Sequence, residues 1–286
     1  MKKLGLIHLI IILCLFVFAF STHSTAQEKD GLLKIHFFDI GQGDSIFIEA
    51  PNGNQVLVDG GPDNTVLEKL GQVMPFYDKE IDLVMVSHPH ADHLTGLIEV
   101  LNRYEVRNTI EAKEEYESPQ FKLWRNAISS EGANNIEALS GTVIDLGSGL
   151  FLKIIHPVQS VAGTRTTKPH DDVVVAMLEY GETRVLLTGD MEKKVEDKLV
   201  FAGVDLDSDV LKVGHHGSKT STADKFLNAV TPEVAVIQVG KNKYGHPAAE
   251  VLKRLENSDI RYYRNDLDGD IKIISDGNNY QIIKTN

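Results

Sequence analysis

The chain has 286 residues, 42% of them hydrophobic and 24% charged, which supplies one large core or two modest ones and excludes disordered and collagen-like classes. Its formal charge of −12 comes from 29 basic and 41 acidic residues; residues 1–26 carry two of the lysines and no acid, so the remainder stands at −14. A general basic surface for gripping phosphate backbones is therefore excluded, and any contact with a polyanion needs a local patch or metal ions.

In chain order, Met1, Lys2 and Lys3 lead into an uninterrupted apolar run over residues 9–20, followed by small polar residues ending in Ser24, Thr25 and Ala26. The run is shorter than the roughly 20 residues a spanning helix needs, and small residues stand where a signal peptidase reads. The expectation is a signal peptide over residues 1–26 cut before Gln27, with an uncleaved anchor as the alternative; either places the folded part, residues 27–286, outside the cytoplasm. Cys14, the only cysteine, lies inside the apolar run, so the exported part has no disulfide, thiolate nucleophile or cysteine-ligated zinc.

Short apolar strands are predicted at residues 34–40, 45–49, 55–59 and 81–87, joined by Gly, Pro and Asn turns. Helical periodicity follows at 94–103 and 118–130, around a strand at 106–112. The second half repeats the theme, with strands at 151–155, 173–180, 184–188, 210–213, 234–239 and 271–274 and helices at 192–202, 223–230 and 248–256. Mixed elements in two comparable halves predict one α/β domain with two sheets packed face to face and helices outside. Residues 111–140, acidic and poor in motifs, read as either a lid or an insertion.

Of the nine histidines after the signal segment, eight fall at predicted strand ends or in the loops beyond, which is where ligands converge on a rigid scaffold. The densest cluster is Ser87-His88-Pro89-His90-Ala91-Asp92-His93. In extended backbone His88 and His90 share a face and can reach one ion. Pro89 marks the end of the strand, and Asp92 and His93 follow as the chain turns into a helix. Four ligand-type residues in six positions suit two adjacent cations, with imidazole and carboxylate favouring zinc, and manganese or iron as alternatives.

Asp190, at a strand tip beside Gly189, is placed to bridge two metals. Asp59 ends another strand, where it is expected to accept an imidazole N–H and orient a ligand. A third strand runs into Gly214-His215-His216-Gly217-Ser218; one histidine is expected on metal, the other at a proton or at substrate. Tyr244-Gly245-His246-Pro247 adds a late histidine. Lys212, Lys219, Lys241 and Lys243 flank these motifs and offer either a local positive rim or ordinary solvated surface.

These motifs, with Phe38-Asp39-Ile40-Gly41-Gln42-Gly43-Asp44-Ser45, resemble the metallo-β-lactamase superfamily, and within it the hydrolase domain of ComEC-type competence proteins. The resemblance implies an αββα sandwich with a dinuclear site at one edge of the sheets. It implies His88 and His90 on the first of two divalent ions, Asp92 and His93 on the second, Asp190 between them and His215 completing the second. His170, Asp171 and Asp172 are candidates to complete the first, because Pro169-His170-Asp171-Asp172-Val173 departs from the family's usual third motif; His156 is a weaker one. Asn265 departs from a threonine common in the branch. Catalytic roles fall to Asp92, His216 and His246, with Ser218 and Lys219 at the substrate.

Competence channels carry many spanning helices before this domain, and a single signal-like segment stands in their place here, so DNA transport by this chain alone is not expected. The function expected is an exported hydrolase using a metal-bound hydroxide on an anionic phosphodiester, DNA or RNA included. Lactone, β-lactam or other ester hydrolysis is the enzymatic alternative, and a non-catalytic nucleic-acid-binding module in DNA uptake the alternative from another class.

Overall fold

The computed structural model describes residues 31–285, so the signal segment expected over residues 1–26 lies outside the described residues. Fifteen strands form two sheets. The first contains β1 (Leu33–Phe37), β2 (Ile46–Glu49), β3 (Gln55–Val58), β4 (Glu80–Met85), β5 (Glu105–Glu111), β6 (Asn134–Glu137), β14 (Ile271–Ser275) and β15 (Tyr280–Lys284), in the order β15-β14-β1-β2-β3-β4-β5-β6. The second contains β7 (Val143–Gly147), β8 (Leu150–His156), β9 (Val175–Tyr180), β10 (Thr183–Leu187), β11 (Val210–Lys212), β12 (Val234–Ile237) and β13 (Arg261–Arg264), in the order β13-β12-β11-β10-β9-β8-β7.

Each sheet is antiparallel in one part and parallel in the other: β3 to β6 run parallel, and so do β10 to β13. Parallel neighbours need a crossover, usually a helix. The first sheet uses α1 (Thr65–Val73), α2 (Ala91–Arg103) and α3 (Pro119–Glu131); the second uses α4 (Lys193–Phe201), α5 (Asp224–Val230) and α6 (Ala249–Asn257), and a one-turn α7 (Asn265–Asp268) follows β13.

Three apolar layers follow from this wiring. Ile35, Val56 and Met85 of the first sheet meet Leu152, Leu178 and Val185 of the second between the sheets. Phe47 and Val84 face Leu70, Leu97 and Trp124 of the helices outside the first sheet, and Leu186 and Leu211 face Leu199, Phe226 and Leu255 outside the second. The result is the αββα sandwich expected from the sequence. Strands such as β12, buried at every residue, show a continuous apolar run because they are covered on both faces.

Residues 111–140 are regular structure. They complete a βαβ unit, the end of β5, then α3, then β6 paired parallel to β5. Ser118 caps α3 by accepting the Phe121 N–H at 3.1 Å, Pro119 starts it, and Gly132, left-handed at φ 74°, ends it. Helix α2 begins at Ala91, three residues earlier than its apolar periodicity indicates, because His90 is already extended at its N-cap.

Candidate metal centre

The carboxyl ends of β3, β4, β10 and β11 open on one edge of the sandwich, where ligands collect in open α/β sheets. Beyond β4 the chain runs through Ser87 to His88 and His90, while Asp92 and His93 occupy the first turn of α2, whose positive end favours a carboxylate. Asp190 follows β10, and His215 and His216 follow β11. A Cβ on Gly43 would overlap the Asp92 carbonyl, so glycine there lets the β1–β2 loop pack against this turn.

Candidate donors gather in two sets on either side of Asp190: His88, His90 and His170, with His215 also beside Asp190, and Asp92, His93 and His216. In the first, His90 Nδ1 lies 2.9 Å from His88 Nε2 and 3.1 Å from His170 Nε2. Asp190 Oδ2 lies 3.8 Å from His88 Nε2 and 3.7 Å from His170 Nε2. In the second, Asp190 Oδ1 is 3.4 Å from His93 Nε2 and 3.5 Å from His216 Nε2, while Asp92 Oδ2 is 3.3 Å from His216 Nε2 and 4.0 Å from His93 Nε2. Tetrahedral zinc with bonds of about 2.0–2.1 Å spaces its donors roughly 3.3 Å apart, and the second set matches that spacing closely.

Buried His93 Nε2, His216 Nε2 and Asp190 Oδ1 have no hydrogen-bond partner within the protein. Orphaned polar atoms are costly in an interior, and three aimed at one point fit a divalent cation.

The charge balance fits as well. Burial opposes a proton on His93, but the carboxylates of Asp190, Asp59, Asp44 and Asp92 outweigh it and hold its pKa well above the usual histidine range. His216 is likewise raised to about 9 against burial, by Asp190 and Asp44. Burial opposes the charge on Asp190 too, yet His216 and His93 hold its carboxyl well below normal. These imidazolium charges neutralise clustered carboxylates, a task a dication takes over when it displaces the protons. Burial and then the His93 charge push His88 well down, and burial and His170 push His90 down to about 4, leaving both neutral and ready as ligands.

A buried layer behind the donors orients them. Asp59 Oδ2 lies 2.8 Å from His93 Nδ1 and accepts the Ser87 hydroxyl at 2.6 Å, so His93 turns Nε2 toward the centre. His216 Nδ1 lies 2.9 Å from the Gln238 carbonyl oxygen and 3.3 Å from Asp44 Oδ1. Lys212, with no exposed surface, pairs with Asp44 and donates to the Gly189 carbonyl at 2.9 Å. Lys212 therefore belongs to no positive rim.

Both adjacent histidines stand among the candidate donors, but His216 and not His215 takes the place expected beside Asp92 and His93. His216 joins Asp92, His93 and Asp190, whereas His215 lies beside His170 with its Nε2 3.7 Å from Asp190 Oδ2. Both residues are left-handed, at φ 48° and φ 51°, so the chain turns sharply between them instead of alternating as a strand would. Among the three candidates in the third motif, His170 is brought to His88 and His90. Asp171 pairs with Lys194 on the surface, and Asp172 closes the short 3₁₀ turn over Pro169–Asp171, outside the donor sets. His156 Nδ1 is held by the Val173 carbonyl, in a structural role.

His246 is no member of a donor set, but it lines a cavity of about 320 Å³ over the centre with Gln42 and Tyr244, and its Nδ1 is buried without a partner. Ser218 bonds Thr220, and Lys219 is exposed; neither lines that cavity. Sequence reasoning assigned no role to Asp44, Ser87 or Gln238. The first two lie inside motifs that were singled out, so a signal for them existed; Gln238 gave none.

Histidine and aspartate donors gathered at the strand ends of such a sandwich define a protein built to hold divalent cations. The family model described as metallo-β-lactamase superfamily matches residues 38–241, and the chain belongs to that superfamily. It is 31% identical over 257 residues to ComE operon protein 3 of Bacillus subtilis (strain 168), covering 84% of this chain and 32% of that protein. It is 30% identical over 252 residues to Recombination protein 2 of Haemophilus influenzae, covering 86% and 29%. With Competence protein ComA of Neisseria gonorrhoeae it shares 46% identity over 91 residues, 31% and 13% of the two chains. The competence-type branch indicated by the motifs is where these relatives lie, and the chain spans about a third or less of their length. Among solved structures, CmlA, a diiron β-hydroxylase from Streptomyces venezuelae, matches with a TM-score of 0.53 at 14% identity, covering 88% of this chain and 54% of that one, which shows the shared fold. Among the described residues no helix is long and apolar enough to cross a membrane.

Proposed function

We propose that the chain is an exported phosphodiesterase that acts on nucleic acid with two divalent ions, zinc or manganese. The observation that carries this reading is Asp190, whose two carboxylate oxygens each face a separate set of imidazole donors. His88, His90 and His170 would hold one ion and Asp92, His93 and His216 the other, with Asp190 shared. Bound there, two such ions would acidify water, neutralise phosphate charge and steady a leaving oxygen.

The chain's own groups do the rest. Asp59 and the Gln238 carbonyl fix which nitrogen of His93 and His216 faces inward. His246, half-buried over the centre and held below the usual histidine pKa by burial and by His215, offers a neutral imidazole available to take a proton at its Nδ1. The relatives' names, a recombination protein and a competence protein, support DNA as the substrate class, and the net charge of −12 makes cations at the site the natural means of admitting a polyanion.

The test is hydrolysis of bis(p-nitrophenyl) phosphate, single-stranded DNA and RNA by the manganese- or zinc-loaded chain, against Asp190→Asn. Cleavage of nucleic acid that the variant loses supports the reading. Turnover of a lactone or β-lactam with no phosphodiester cleavage would replace it with ester hydrolysis, and tight nucleic-acid binding with no turnover of any substrate would replace it with a binding module.

A further inference from the structure

A second cavity, of about 360 Å³, opens beside the metal centre. One wall is Tyr116 together with Phe121, Lys122 and Arg125 from the first two turns of α3; the other carries Arg165. The walls are laced by backbone bonds: Glu115 N to the Thr164 carbonyl at 2.9 Å, Thr166 N to the Glu115 carbonyl at 2.9 Å, and Gly163 N to the Lys113 carbonyl at 3.0 Å. Both walls lead directly into the donors. The Tyr116 ring stands 5.7 Å from the His90 ring, and the strand of chain bearing Arg165 continues into His170.

The lining combines two chemistries. Tyr116 meets Phe121 edge-on at 6.4 Å, and the Arg125 guanidinium lies 4.7 Å from the Phe121 ring, which makes an aromatic and cation–π surface. Lys122, Arg125 and Arg165 line it with the carboxylates of Glu115 and Glu117. Arg125 is committed to the buried Glu111, but the Arg165–Glu117 pair is two-thirds exposed on both sides, at 69% and 68%. Pairs of that kind contribute little, so the guanidinium is free to exchange its carboxylate for a phosphate. Lys122 is exposed and makes no ion pair among the described residues. In a chain of charge −12 this places one unpaired ammonium and one exchangeable guanidinium beside an aromatic surface and next to the centre.

We propose that this cavity is the subsite for the nucleotide neighbouring the scissile phosphate in a single-stranded nucleic acid, with its base against Tyr116 and its phosphate at Lys122 and Arg165. The volume lies at the lower end of the range for small-ligand sites, suited to one nucleotide. Base stacking on an aromatic ring requires an unpaired base, which selects single strands over duplex. The inference rests on the phosphodiesterase reading for the scissile bond and on the cavity alone for the subsite.

The experiment uses the full chain and the variants Tyr116→Ala, Tyr116→Phe and Lys122→Glu. Fluorescein-labelled tetrathymidylate, tetrauridylate and a hairpin duplex are titrated by anisotropy in manganese and in EDTA. In parallel, kcat/KM is compared for tetrathymidylate and bis(p-nitrophenyl) phosphate. Tyr116→Ala and Lys122→Glu are expected to raise Kd for the single strands about fivefold or more. Their loss of kcat/KM on the tetranucleotide is expected to exceed that on the small diester by a similar factor, with Tyr116→Phe close to the original chain and duplex bound more weakly than either single strand. Unequal affinity for the two single strands, with both weakened by the variants, still supports the subsite. Equal losses on both substrates, or no binding of either single strand by the unsubstituted chain, would overturn the subsite. Single-strand binding that both variants weaken, in a chain that cleaves neither substrate, would overturn the phosphodiesterase reading and leave the subsite standing.

Discussion

Replacing Lys212 with Met tests whether the layer behind the metal ligands is held by one buried cation. Lys212 is fully buried, its ammonium pairs with the equally buried Asp44, and it donates to the carbonyl of Gly189, the residue before Asp190. Asp44 faces His216 Nδ1 at 3.3 Å and His93 Nδ1 at 3.7 Å, so the pair ties together the β1–β2 loop, α2, and the ends of β10 and β11. Burial opposes the charge on Asp44; Lys212, then His93 and His216, nevertheless hold its carboxyl below the usual range. Methionine matches the stem in volume but strands the carboxylate. Breaking a buried pair by removing one partner costs about 3–5 kcal/mol, which for a domain of this size corresponds to a melting temperature lower by on the order of 10 °C. The assay is thermal unfolding by circular dichroism in EDTA, so that metal binding contributes nothing. Adding Asp44→Asn removes the stranded charge, and the double variant should recover part of the loss, with a coupling of at least about 1 kcal/mol. A Lys212→Met variant within about 1 kcal/mol of the original chain, or a strictly additive double variant, would refute the argument.

Two further outcomes follow from groups outside the centre. Burial, exceeding the opposing effect of the Ala223 and Thr222 N–H bonds, raises Glu196 to about 7. The folded chain therefore keeps a proton that the unfolded chain has released, and stability falls as pH rises from about 4.5 to about 7. Glu196→Gln should lose that slope and gain on the original chain by on the order of 2 kcal/mol across the window, as read from urea denaturation at pH 4.5 to 8; a constant difference would count against it. A Cβ at Gly96 would overlap the backbone carbonyls of Gly60 and Asp63, whereas one at Gly71, inside α1, meets nothing within 4 Å. Gly96→Ala should destabilise by at least about 2 kcal/mol and Gly71→Ala stabilise by roughly 0.5–1 kcal/mol; denaturation midpoints that move the same way in both would contradict this contrast.

What the sequence made legible was set by regularity. His88, His90, Asp92, His93 and Asp190 follow strands with clear apolar runs, so alternation and strand termination placed them at one edge without any knowledge of tertiary contacts. His215 and His216 failed that logic because their positions depend on two successive left-handed residues, a backbone state that spacing does not encode. Lys212 departs from expectation for a different reason. A lysine near a motif is usually solvated, and only its partner Asp44, distant in sequence, makes burial affordable. The elements without a sequence signal are β6, β7, β13 and β15, whose partly exposed, polar-rich edge positions blur the apolar pattern, α1, where Thr65, Val66 and Gly71 weaken the helical propensity, and the one-turn α7. Four of these strands lie at or next to sheet ends, where packing supplies less information to read.

The most direct test of the shared Asp190 arrangement is metal content by mass spectrometry after reconstitution with zinc and removal of excess ion, for the original chain, His170→Ala and His216→Ala. Two ions per chain in the original and about one in each variant are predicted, because His170 stands with His88, His90 and His215 on one side of Asp190 and His216 with Asp92 and His93 on the other. Fewer than two ions in the original chain, or two ions retained in both variants, would contradict it.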